Sequence, residues 1–150
     1  MQGLLHKLAL WSVLSFLALS SSAVMATDDK PFAEKKVVLQ ISDADPFKQT
    51  FVLNVANNLI QVFGPDKIDV EIVAFGPGLR LLFADNENKD RIDGLVNNGG
   101  VRFAACNNTL KSFAKQMGKE PALHNQAKIV SAGVIHILDL TAKGFTLVKP

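Results

Sequence analysis

The sequence predicts an α/β domain built on a mostly parallel five-stranded sheet with helices on both faces. Three observations lead there. Short apolar runs rich in β-branched residues alternate with longer amphipathic stretches from Val37 to the end of the chain. The first of these runs, Val37–Ile41, is almost wholly apolar, as in a strand covered on both faces. Clusters of Gly, Pro and Asn separate the segments. An order of strand, helix, strand, helix implies parallel strands joined by right-handed crossovers.

The elements follow in turn. After a polar, extended lead-in (residues 27–36), Val37–Ile41 reads as strand one. Ser42, Asp43 and Asp45 then offer helix caps, and Pro46 suits a first helical turn. Phe47, Phe51, Val52, Val55, Ala56, Leu59, Ile60 and Phe63 recur at three- and four-residue steps, which predicts a helix stopped by Gly64-Pro65. Its three asparagines are poor helix formers, so packing rather than propensity must hold it. Residues 68–75 read as strand two and Gly76-Pro77-Gly78 as a turn, before a short apolar segment, residues 79–83. Asp90–Val96 reads as a weaker helix, and Asn97–Gly100 as a turn. Val101–Ala105 is strand three. Beyond Cys106 a helix beginning near Asn108 or Thr109 carries Leu110, Phe113, Ala114 and Met117 on one side, with Gly118 as its cap. A connector, residues 121–126, leads to strand four (129–131), a last helix (132–143) and a last strand (145–148).

Residues 1–26 are expected to be a signal peptide. A short basic start (His6, Lys7) precedes an apolar centre, Leu8–Leu19, and Val24-Met25-Ala26 suits cleavage after Ala26. That centre is shorter than the ~20 residues of a comfortable membrane span. The domain proper is then residues 37–150, in a periplasmic or secreted protein. Removing Lys7, one of 16 basic residues, leaves 15 against 14 acidic ones. With no polybasic run, neither nucleic acid nor a lipid surface is an expected partner.

Cys106 is the only cysteine, so no internal disulfide can form. It is a buried structural residue, half of an intermolecular disulfide, or a reactive thiol. Its position between a strand and a helix favours thiolate chemistry, because the free N–H groups of a helix N-terminus lower a cysteine pKa below its usual ~8.5. In an open parallel sheet, ligands bind beyond the carboxyl ends of the strands. Ser42–Asp45, Gly76–Gly78, Cys106–Asn108 and the loop near Ser131–Gly133 should share that edge. Asp43 and Asp45 there are expected to cap a helix; close to Cys106 they would oppose a thiolate, and Arg80 could offset them.

Other chemistry finds little support. Neither GxGxxG nor GxxxxGK[ST] occurs, and there is no GxSxG elbow. The domain's two histidines, His124 and His136, lack metal-ligand spacing with Cys106, so neither a metal nor a cofactor is expected. His124, in the connector, is expected to be exposed, and His136 to be satisfied or interfacial.

Several segments together resemble the DsrE/DsrF-like family, also called the YchN-like or intracellular sulfur oxidation group. They are the Gly-Pro-Gly loop with Leu79–Phe83, Gly99-Gly100-Val101-Arg102-Phe103 running into Ala105-Cys106-Asn107-Asn108-Thr109-Leu110, Ser131-Ala132-Gly133-Val134, and the ending from Lys143 to Pro150. The resemblance implies a three-layer α/β/α fold and a homo-oligomer, often a trimer or hexamer. It also implies a persulfide-forming cysteine, here Cys106, that exchanges sulfur with a donor or acceptor protein.

The expected site is therefore Cys106, with Asn107, Asn108, Thr109, Gly76 and Gly78 around a ligand. Two readings of function follow. One is an exported sulfur carrier or thiol-handling protein; the other is a non-catalytic oligomeric binding module with a structural cysteine.

Overall fold

A computed structural model describes residues 30–150, so the expected signal peptide lies outside the described residues. The elements are β1 (Lys35–Ile41), α1 (Pro46–Phe63), β2 (Ile68–Ala74), a 3-10 segment (Gly76–Leu82), α2 (Lys89–Gly99), β3 (Arg102–Cys106), α3 (Asn107–Met117), β4 (Ala127–Val130), α4 (Gly133–Ala142) and β5 (Thr146–Val148). The strands form one sheet in the order β4-β3-β2-β1-β5. Every neighbouring pair is parallel, so the expected mostly parallel sheet is wholly parallel.

That order dictates the layers. The chain steps from β1 to β4 in one direction through α1, α2 and α3, so right-handed crossovers put these three helices on one face. It then returns across the sheet through α4 to β5, on the other face. The core divides accordingly. Leu39, Ile72 and Phe103 of the sheet pack with Val52, Ile92 and Leu110 of the first three helices. Val38, Val73 and Ala104 point the other way, toward Ile137 and Leu140 of α4 and toward Phe145.

Several boundaries depart from expectation. β1 begins at Lys35, inside the expected lead-in, because its register with β2 starts at Lys35 opposite Ile68. The turn and apolar segment after β2 coil together into the 3-10 segment, whose buried residues include Leu79, Leu81 and Leu82. The second helix runs on through Asn97–Gly99, and only Gly100, at φ +60°, turns the chain. β4 begins at Ala127 rather than Ile129 and ends at Val130 rather than Ser131. His124 is buried, not exposed. Its N–H donates to Leu82 O, and Leu123 bridges to Phe83, so the connector is drawn onto the 3-10 segment.

The face under α4 is the more thinly covered and carries charge. Asp69 and Glu71 of β2 point toward it, and Arg102 lies opposite Glu71 on β3. The Arg102 guanidinium reaches Asp69 Oδ1 at 2.6 Å and Glu71 Oε2 at 3.0 Å. Glu71 Oε1 also meets His136 Nε2 of α4. Burial works against the Arg102 charge, but its bonds to Asp69 and Glu71 outweigh burial and raise its pKa further. Asp69 Oδ2 is buried with no hydrogen-bond partner among the described residues. The outer side of α4 leaves Val134, Ile135 and Leu138 each more than half exposed.

Candidate functional site

Cys106 is both the last residue of β3 and the N-cap of α3, in extended backbone at φ −70° and ψ 115°. The helix therefore starts one or two residues earlier than the spacing predicts. β3 sends its helix to one face of the sheet, and its neighbour β4 sends α4 to the other. The carboxyl ends of these two strands thus form the topological switch point, where open α/β sheets leave a crevice. Cys106 sits there, with Val130 of β4 as its register partner.

Two helix N-termini meet at the sulfur. The Thr109 hydroxyl and the backbone N–H groups of Asn108 and Thr109 approach from α3, and that of Gly133 approaches from α4. Burial pushes the thiol pKa up, but these donors outweigh it and hold the thiol below its ordinary range. Cys106 makes no capping hydrogen bond of normal geometry. The surrounding donors therefore act through their preference for the anion. No carboxylate contributes to this balance. Asp43 pairs with Lys48 at 3.0 Å, and Asp45 caps α1 through the Phe47 N–H at 2.9 Å.

The neighbouring residues hold this geometry. A Cβ on Gly133 would lie 3.0 Å from the Phe75 Cβ and 3.3 Å from the Cys106 Cβ, so the missing side chain is what lets α4 approach. Thr109 Oγ1 accepts the Gly76 N–H at 2.9 Å. With that acceptor site occupied, the hydroxyl hydrogen is free to turn to the sulfur. One threonine therefore links the 3-10 segment, α3 and Cys106.

A cleft of about 510 Å³ opens beside Thr109, of a size suited to a small molecule. Gly76, Pro77 and Arg80 form one wall, and Asn108, Thr109 and Phe113 form the other. The Arg80 guanidinium lies 4.9 Å from the Phe113 ring centre and 5.9 Å from that of Phe83. Those two rings meet edge to face at 5.3 Å, so the arginine rests on a built aromatic shelf.

Of the expected ligand-binding residues, Gly76, Asn108 and Thr109 line this cleft. Cys106, 5 % exposed, and Asn107, half-buried, lie outside the lining. Gly78 serves packing: a Cβ there would fall 2.5 Å from the Ile41 carbonyl oxygen, so only glycine lets the 3-10 segment cross the end of β1. Ser112, Phe113 and Gln116 also line the cleft and were not anticipated. Their signal was the spacing of 109, 112, 113 and 116, one stripe of a helix. The Asp69–Glu71–Arg102 cluster was missed too, although polar alternation at 69 and 71 within an apolar strand could have shown it. Among the described residues, no group of three His, Cys, Asp or Glu is placed to hold a metal ion.

No family model and no curated protein matches the chain. Among solved structures, the chain is similar to the protein of unknown function MTH1491 from Methanobacterium thermoautotrophicum, at 28 % identity and a TM-score of 0.68. The match covers 77 % of this chain and 99 % of that one, which supports the α/β architecture over most of the described domain.

Proposed function

We propose that this protein is a sulfur carrier in which Cys106 accepts a sulfane sulfur as a persulfide and passes it to a partner. The observation that carries this reading is a thiol pulled below its ordinary pKa at the meeting point of two helix N-termini, beside a cleft. Only the thiolate is nucleophilic, and the donors that stabilise it also suit the negative charge of a persulfide. Loading is balanced without an oxidant. The Cys106 thiolate attacks the outer sulfur of a donor persulfide, and a new S–S bond forms at Sγ. The donor's S–S bond breaks, and its electron pair leaves on a thiolate that takes up a proton. Delivery to an acceptor thiol reverses these steps. The slight exposure of Cys106 suits transfer of a single atom and disfavours a disulfide between subunits. Intact-mass measurement after exposure to an organic persulfide tests this. A gain of one sulfur atom is expected on the wild type and none on Cys106→Ser; no gain on the wild type refutes the reading.

A second reading, a non-catalytic binding module, draws on the fact that the cleft is lined without Cys106 itself. In that case Cys106→Ala retains ligand binding and any cellular phenotype, and the native thiol reacts with a small disulfide reagent only after denaturation.

Self-association completes the proposal. α4 is apolar on nearly every side, and a helix of that kind is ordinarily covered all round. Val134, Ile135 and Leu138 offer a second copy a surface with one charged neighbour, Asp139. We further propose, from the leader read in residues 1–26, that this activity lies outside the cytoplasm; N-terminal sequencing of exported protein checks cleavage after Ala26.

A further inference from the structure

The cleft beside Cys106 has a polarity that the sulfur chemistry alone does not require. No carboxylate lines it. Its one charged residue is Arg80, whose guanidinium makes no ion pair or side-chain hydrogen bond with any described residue. The acids on either side of Ala44, which also lines the cleft, are already engaged: Asp43 holds Lys48, and Asp45 caps α1. Arg80 is not loose, because its planar group lies over Phe113 and beside Phe83. Stacking leaves the edge of a guanidinium, where all five N–H donors lie, open to a bidentate anion. Ser112 and Gln116 add neutral hydrogen-bonding groups along the same helix stripe, and Pro77 and Phe113 give the cleft an apolar floor. The cleft also includes Thr109, whose hydroxyl favours the Cys106 thiolate.

We propose that this cleft binds small organic sulfur donors bearing a carboxylate, with the carboxylate on Arg80, the carbon chain over Pro77 and Phe113, and the sulfur toward Thr109 and Cys106. The proposal rests on the sulfur-carrier reading for its choice of donor. It adds what that reading lacks, a residue that selects one class of donor. Arg80 acts here as a specificity-determining residue at a distance from the reacting sulfur. Its anion contact is partly solvated, so its effect is modest: a charge-assisted bidentate contact at an exposed site is expected to change the rate about fivefold.

Two persulfides of similar size, made from mercaptopropionate and from mercaptoethanol, differ in charge and form the test. Loading of the purified protein is followed by intact mass at low ionic strength. The carboxylate donor should load the wild type about fivefold faster than the neutral one. Arg80→Gln should bring the two rates together, and Arg80→Lys should keep part of the preference. Equal rates in the wild type, or a preference that survives Arg80→Gln, overturn the assignment of Arg80 and leave the sulfur-carrier reading standing. If neither donor loads the protein, the carrier reading fails, and the cleft is judged by binding of unreactive methylthiopropionate. Shifts of the Ser112 and Gln116 amide signals, weakened about fivefold in affinity by Arg80→Gln, then support the anion site. No binding to the wild type removes it.

Discussion

Replacing Thr109 by Val tests the site most directly, because it removes one hydroxyl and keeps the β-branched shape. That hydroxyl accepts the Gly76 N–H at 2.9 Å and supports the Cys106 thiolate. A hydrogen bond to a charged group contributes about 1.5–3 kcal/mol, and the lower end suits a diffuse sulfur anion. Since 1.4 kcal/mol is a factor of about ten, the thiolate fraction at pH values below the folded pKa should fall about tenfold. The remaining thiolate is more basic and hence about threefold more nucleophilic, with a Brønsted slope of ~0.5. The net labelling rate with a small disulfide reagent should therefore drop about threefold on the acid side of the folded pKa. In alkaline solution, where both proteins are fully ionised, the order should reverse and the variant should react faster. Thr109→Ser keeps the hydroxyl and should stay close to wild type. The Gly76 N–H also loses its acceptor, at a cost of about 1 kcal/mol in urea unfolding if water partly replaces it. Superimposable rate profiles for wild type and Thr109→Val would refute the claim that this hydroxyl stabilises the anion.

Three further outcomes are expected. Because the folded pKa of Cys106 is lowered, the unfolded chain binds more protons in the window between the folded pKa and the ordinary value of ~8.5. Stability relative to Cys106→Ser should therefore rise with pH through that window and level off above it; denaturant midpoints across the range check this. Arg102→Met leaves Asp69 and Glu71 buried without their cation, and chemical unfolding should show a loss of about 3–5 kcal/mol, partly recovered by adding Asp69→Asn. Leu138→Glu places a charge on the apolar outer side of α4, and light scattering after size exclusion should report a smaller assembly with an unchanged far-ultraviolet circular dichroism spectrum.

Much of the fold was legible because each element carries its own periodicity. The stripe from Phe47 to Phe63 appears as α1, and the alternation of elements led to the parallel sheet. Boundaries moved where local signals competed with tertiary contacts. Asn97–Gly99 looks like a turn, yet it stays helical because Gly100 in the left-handed region closes the helix by donating to Leu95 and Val96. His124 looks like a connector residue, yet packing on the 3-10 segment buries it.

The sequence by itself determined the strand–helix order, the lone thiol at the end of β3 and the donor-rich Asn-Asn-Thr segment after it. These are properties of neighbours along the chain, set by side-chain spacing and capping chemistry. Tertiary structure alone decided that β4 lies beside β3, and hence that the N-terminus of α4 and the Gly133 N–H reach the same sulfur. It also decided that Thr109 bridges Gly76 to Cys106, and that Arg80 lies on Phe113 across a cleft. Strand order follows from the direction of each crossover and from burial summed over the whole sheet. No local window of residues carries that information, so it emerges only when the layers pack.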